Sequence, residues 1–124
     1  MSGWLILRLK SFSYAGKGVK TLFASQPNAQ IHLLTTALVL VLGLHLDISR
    51  YDWAILVLTI ALVIAMEAMN TGLEFLCDAV HPDQHTLIGK AKDVAAAAVL
   101  ICACAAVLIA ALILLPPFIN AYLT

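Results

Sequence analysis

The sequence predicts an all-α integral membrane protein, with three transmembrane helices and an N-terminal amphipathic helix on the membrane surface. Three observations predict it. Of 124 residues, 63% are hydrophobic and only 11% charged, with a mean hydropathy of +1.01, which excludes a soluble globular domain. Residues 33–44, 53–66 and 94–115 are three uncharged apolar runs, the pattern of bilayer spans. The basic residues are unevenly placed: Arg8, Lys10, Lys17 and Lys20 precede the first run, Lys90 and Lys92 lie between the second and third, and Arg50 stands alone on the other side. By the positive-inside rule the N-terminus and the second connection are cytosolic. A formal net charge of zero argues against a nucleic-acid partner.

The first element, residues 1–26, is a surface helix and a turn. Trp4, Leu5, Leu9, Phe12, Val19, Leu22 and Phe23 supply apolar positions and the four basic residues supply headgroup contacts. Gly16 and Gly18 are expected to mark a break or a close helix contact. No cleavable signal is evident, since no small-residue cleavage pattern follows the early basic stretch. Ser25, Gln26, Pro27 and Asn28 form a turn signal, with Pro27 suited to the first turn of the next helix.

The first span covers 29–46, short enough to need tilt or help from its flanks. His32 and His45, at its two ends, read as interfacial hydrogen-bonding residues. A brief polar turn leads to the second span, 53–80, which extends into the cytosol. The third, 94–115, is rich in alanines that let helix backbones approach closely, and Pro116-Pro117 is expected to end it. Cys77, Cys102 and Cys104 lack metal-ligand spacing and behave as small apolar residues. Nothing repeats and no linker divides the chain, so residues 1–124 form one domain.

The second span carries the chemistry. Glu67, Asn70, Glu74 and Asp78 fall within a sector of roughly 80° at about 100° per residue, giving the helix one polar stripe. Glu67 lies about 20 Å beyond Trp53 along the helix axis, short of the roughly 30 Å hydrocarbon core. A carboxylate at that depth is costly unless it is paired, metal-bound or facing a wet cavity. Three thin helices are not expected to shelter such a stripe alone, so a homo-oligomer is inferred, with the stripe where subunits meet. Between the second and third spans, Asp78, His81, Asp83, Gln84, His85, Lys90, Lys92 and Asp93 gather at the cytosolic mouth. Carboxylates and lysines there suit a nucleotide with its divalent metal, because phosphoryl transfer needs charge neutralisation and a base for the acceptor hydroxyl.

The run Glu67-Ala-Met-Asn70-Thr-Gly-Leu-Glu74, followed by Asp78, His85 and Ala91-Lys92-Asp93, resembles the bacterial diacylglycerol kinase and undecaprenol kinase family. The similarity covers nearly the whole chain, and the segments around Tyr14, His32 and 93–98 look nearer the undecaprenol kinase branch. The resemblance implies a homotrimeric helical bundle in the bacterial inner membrane, with composite sites between protomers, moving the ATP γ-phosphate to a lipid hydroxyl. It implies Glu67 as general base beside the lipid, Asn70 in support of transfer, and Glu74 as a ligand of the Mg2+ carried by ATP. Tyr14, Asp83, Gln84, His85, Lys92 and Asp93 match nucleotide-contacting positions, and Ala96 a lipid-contacting one. Where the family carries a second metal-binding Glu, this chain has Gln26, which offers a carbonyl oxygen without charge. The family's N-terminal arginine has no in-register match, Arg8 being displaced by one position. The alternative function is a non-catalytic membrane oligomer, or an ion or proton pathway lined by Glu67 and Glu74.

Overall fold

The computed structural model describes residues 3–123. They form four helices in the order α1 (Gly3–Ser25), α2 (Pro27–His45), α3 (Arg50–Val80) and α4 (Thr86–Tyr122). The last three are each long and apolar enough to cross a membrane, giving a multi-pass helical membrane protein. Most large apolar side chains on them are exposed, as lipid-facing helices require, since lipid tails are no less apolar than a leucine core. The helix α3 is the hub: its main packing is against α4, and it also touches α2 and α1.

One residue, Gln26, separates α1 from α2. Helical hydrogen bonding runs through it, with Gln26 N donating to Leu22 O at 3.0 Å and Gln30 N to Gln26 O at 3.2 Å. Pro27 sits at the first turn of α2, where its missing N–H costs nothing. The Gln30 side chain reaches back to Phe23 O at 3.0 Å, and Leu22 and Ala29 are buried at this elbow. The expected break at Gly16 and Gly18 does not occur: α1 is continuous, and nothing lies within 4 Å of a Cβ placed at either position. The glycine penalty of about 1 kcal/mol each is borne by a helix of 23 residues.

Between α2 and α3 the chain reverses through a left-handed Asp47, with φ 48°. Ser49 caps α3, its Oγ accepting from Asp52 N at 3.2 Å and donating to Asp52 Oδ2 at 2.7 Å. The hairpin closes tightly because Gly43 has no side chain: a Cβ there would lie 2.9 Å from the Trp53 ring.

The third spanning helix exceeds its expected bounds at both ends. It starts at Thr86, because the His85 side chain accepts from Leu87 N at 3.2 Å and caps it. At the other end Pro116 and Pro117 do not terminate it; they lie inside α4, which runs on to Tyr122. Each proline costs about 3 kcal/mol in a helix interior, and the last turn is held against that cost by aromatic contacts. Phe118 packs on Tyr122 with ring centroids 5.1 Å apart, while Tyr122 stacks on and hydrogen-bonds His45 at the end of α2. The expected interfacial hydrogen-bonding role of His45 is thus met within the chain. With 37 residues, α4 is about 55 Å long, so it projects beyond a hydrocarbon core of roughly 30 Å.

Candidate active site

The inner half of the α3 stripe is buried. Glu67 is 2% exposed, Asn70 7% and Thr71 4%. One chain thus shelters Glu67 and Asn70 by itself, while Glu74 is half-buried and Asp78 exposed, so the outer part of the stripe is left open. Asn70 Nδ2 donates to Glu74 Oε1 at 3.1 Å, a contact that the four-residue spacing places along one helix face. Among the described residues, three buried side-chain atoms have no hydrogen-bond partner: Glu67 Oε2, Asn70 Oδ1 and Thr71 Oγ1. Unmet buried polar atoms each cost about 1–3 kcal/mol, and three within about one helical turn mark a surface built to face something polar.

The stripe lies between two cavities along α3, with Asp78 lining the outer one. Toward the middle of the spanning layer, α2, α3 and α4 enclose a largely apolar space of about 360 Å³ whose lining includes His32, Thr36, Thr59, Val63, Ala106 and Ala110. Val63 lies one turn before Glu67 on the same face, and the fields of His32 and Glu74 reach the Glu67 carboxyl. In the opposite direction lies a polar cavity of about 550 Å³, lined by Asp78, His81, Asp83, Gln84, His85 and Lys92 among others. Lys92 Nζ donates to Asp78 Oδ1 at 2.9 Å, tying α4 to the end of α3, and Glu74 and Cys77 also act on the Lys92 ammonium. Along α3, Glu74 stands about 10 Å from Glu67 and about 6 Å from Asp78.

Asp83, Gln84 and His85 therefore meet Lys92 in one cavity, which opens at the N-terminus of α4. Free backbone N–H groups and the helix dipole there favour an anion. His81 and His85 lie with ring centroids 5.0 Å apart, and the His85 Nδ1 is occupied by its capping bond, leaving Nε2 for a visitor. Asp93 is exposed and outside that cavity, and Ala96 is exposed one turn beyond Lys92. Tyr14 stands exposed on α1 with the Lys17 ammonium 5.6 Å from its ring centroid. Gln26 lies at the α1–α2 elbow, where its amide nitrogen donates to Ser25 Oγ at 3.3 Å.

Comparison with known proteins then decides the family. The model of prokaryotic diacylglycerol kinase matches residues 13–114. The chain belongs to the prokaryotic diacylglycerol kinase family. It is 42% identical to a diacylglycerol kinase of Synechocystis over 90% of its own length and 65% of that relative's. It is also 35% identical to an undecaprenol kinase of Bacillus subtilis, over 86% of this chain and 87% of that one. A diacylglycerol kinase of Escherichia coli is 28% identical over 81% and 82% respectively. Family members carry two acceptor names, so membership alone leaves the acceptor lipid open.

Phosphoryl transfer at such a site calls for a divalent metal. Among the described residues no three His, Cys, Asp or Glu side chains converge as a cage, while Glu74 and the unmet Asn70 Oδ1 offer hard oxygens on one wall. That set fits Mg2+, which takes few protein ligands when substrate phosphates and waters supply the rest. Two neighbours of the stripe escaped the sequence reading. His32 is a lining residue of the inner cavity and not merely an interfacial one. Thr71 is a buried member of the stripe, detectable by its four-residue spacing from Glu67.

Proposed function

We propose that this protein is an ATP-dependent lipid kinase, transferring the γ-phosphate of MgATP to the hydroxyl of a membrane lipid, either diacylglycerol or undecaprenol. The observation that carries it is the continuity of the α3 stripe. A sheltered carboxyl with one unmet oxygen, Glu67, shares one helix face with the hydrogen-bonded pair Asn70 and Glu74 and with Asp78, which lines a polar cavity together with Lys92. Glu67 takes the proton of the acceptor hydroxyl as that oxygen bonds to the γ-phosphorus and the bond from phosphorus to the bridging oxygen of ADP breaks. Asn70 orients the Glu74 carboxylate, and Glu74, with lesser help from Gln26, holds the nucleotide's Mg2+. When bound, that ion draws charge from the phosphate oxygens. Lys92 and the N-terminus of α4 meet the phosphates, while Asp83, Gln84, His85, Asp93 and Tyr14 surround the rest of the nucleotide. The lipid approaches through the layer that contains Ala96 and the inner cavity.

The basic residues Arg8, Lys10, Lys17 and Lys20 of α1, with Lys90 and Lys92 near the start of α4, support a site on the cytosolic face of the bacterial inner membrane. The exposed apolar side of α1 rests among lipids, with Lys10, Lys17 and Lys20 toward the headgroups. The exposed alanines of α4 support a trimer, whose neighbours complete each site. Purified protein given Mg2+, labelled ATP and each lipid in turn is expected to phosphorylate one of them, and Glu67→Gln is expected to abolish transfer while leaving assembly intact. Failure with every lipid from an assembled protein refutes the reading. A proton or ion pathway lined by Glu67 and Glu74 gives Lys92 no nucleotide to bind; proton flux in ATP-free liposomes would favour it.

A further inference from the structure

Thr71 carries a hydroxyl that ordinary helix chemistry would have satisfied. In a helix such a group commonly donates to the carbonyl four residues back. Ser11, Ser25, Thr35 and Thr59 do so here, at 3.1, 2.8, 2.9 and 2.7 Å. Thr71 does not: it is 4% exposed and its Oγ1 has no partner. Threonine in a helix divides between two rotamers, of which one turns the hydroxyl away from that carbonyl.

Four residues earlier on the same face stands Glu67, with Cβ atoms at that spacing roughly 5–6 Å apart. Its Oε2 is a buried acceptor without a donor. Asn70 Nδ2, another donor on the stripe, gives one of its two N–H groups to Glu74. One residue thus has a donor to give and its neighbour an acceptor to fill.

We propose that Thr71 is a positioning residue for Glu67: its hydroxyl donates to Glu67 Oε2 in the working protein and turns the other carboxyl oxygen toward the acceptor lipid. The inference rests on the reading of Glu67 as the base. A carboxyl held at one oxygen has a single oxygen left to receive the lipid's proton, so its angle of approach is fixed before the nucleotide arrives. Without that bond the carboxyl rotates, and only a fraction of encounters place it correctly.

Thr71→Val removes the hydroxyl at nearly constant shape, and Thr71→Ser keeps it. With MgATP and lipid acceptor in mixed micelles, Thr71→Val is expected to lower kcat about tenfold, the effect of one ordinary hydrogen bond. Both KM values are expected to stay within about twofold, and Thr71→Ser to retain most of the activity. Independently of turnover, the infrared carboxyl band of Glu67, assigned by difference against Glu67→Gln, is expected to shift in Thr71→Val and to stay in place in Thr71→Ser. A wild-type kcat in Thr71→Val, a Thr71→Ser as slow as Thr71→Val, or an unmoved band overturns the proposal. So does a raised lipid KM with unchanged kcat, which would mean that Thr71 grips the lipid. Failure of the kinase reading shows differently, as a wild-type protein that phosphorylates nothing while the infrared shift persists.

Discussion

Replacing Asn70 by Leu tests the link between the proposed base, Glu67, and the carboxylate proposed to bind the metal, Glu74. The two side chains have similar size and shape, so the change removes chemistry and not volume. What is lost is the 3.1 Å hydrogen bond from Asn70 Nδ2 to Glu74 Oε1, at a position only 7% exposed, where water offers little replacement. A hydrogen bond to a charged group contributes about 1.5–3 kcal/mol, and each 1.4 kcal/mol is tenfold. The expected fall in kcat/KM for MgATP is therefore between about tenfold and about 150-fold, with a matching rise in the Mg2+ concentration needed for half-maximal rate. The substitution also removes the unmet Asn70 Oδ1, so the unfolding midpoint in detergent is expected to move little. Steady-state kinetics across a Mg2+ titration, paired with a thermal melt, measure all three quantities. A variant whose rate and Mg2+ requirement both stay within about twofold of wild type refutes the argument that Asn70 holds Glu74 for the metal.

Two further outcomes follow from particular contacts. Gly43→Ala places a methyl group 2.9 Å from the Trp53 ring; overpacking of this kind costs about 1–3 kcal/mol. A lowered melting temperature is expected, restored when Trp53→Phe is added, and an unchanged melt refutes the close approach. Lys92→Met removes an exposed ion pair with Asp78, a kind of pair that contributes little to folding. The melt is expected to hold while the KM for MgATP rises roughly tenfold or more, and an unaltered KM removes Lys92 from the phosphate site.

The spans were legible because uncharged apolar runs admit few alternatives, and the polar stripe because helical angles alone place Glu67, Asn70, Glu74 and Asp78 together. The ends of α4 were not. Its start depends on the rotamer with which His85 caps Leu87 N, and its finish on Tyr122 meeting His45, a contact across 77 positions of sequence. Pro116 and Pro117 carry a strong local signal, which tertiary contacts override. His32 was unremarkable as a lone histidine near a span's end, and its place on the inner cavity arises only when α2 is laid against α3. Thr71 escaped because most hydroxyls in apolar helices bond their own backbone, and sequence does not say which ones turn away. The sheltering of Glu67 within one chain likewise required knowing that α3 lies at the centre of the packing.

The elbow at Gln26 has a mechanical consequence. Two helices that share one non-helical residue, with hydrogen bonds carried across it and Gln30 strapped to Phe23, have no slack between them. Any change in the lean of α2, such as a thinner or thicker bilayer imposes on a 19-residue span, swings α1 like a lever. Because α1 also bears on α3, the thickness of the surrounding lipid is geared to the pressure on the helix that holds Glu67.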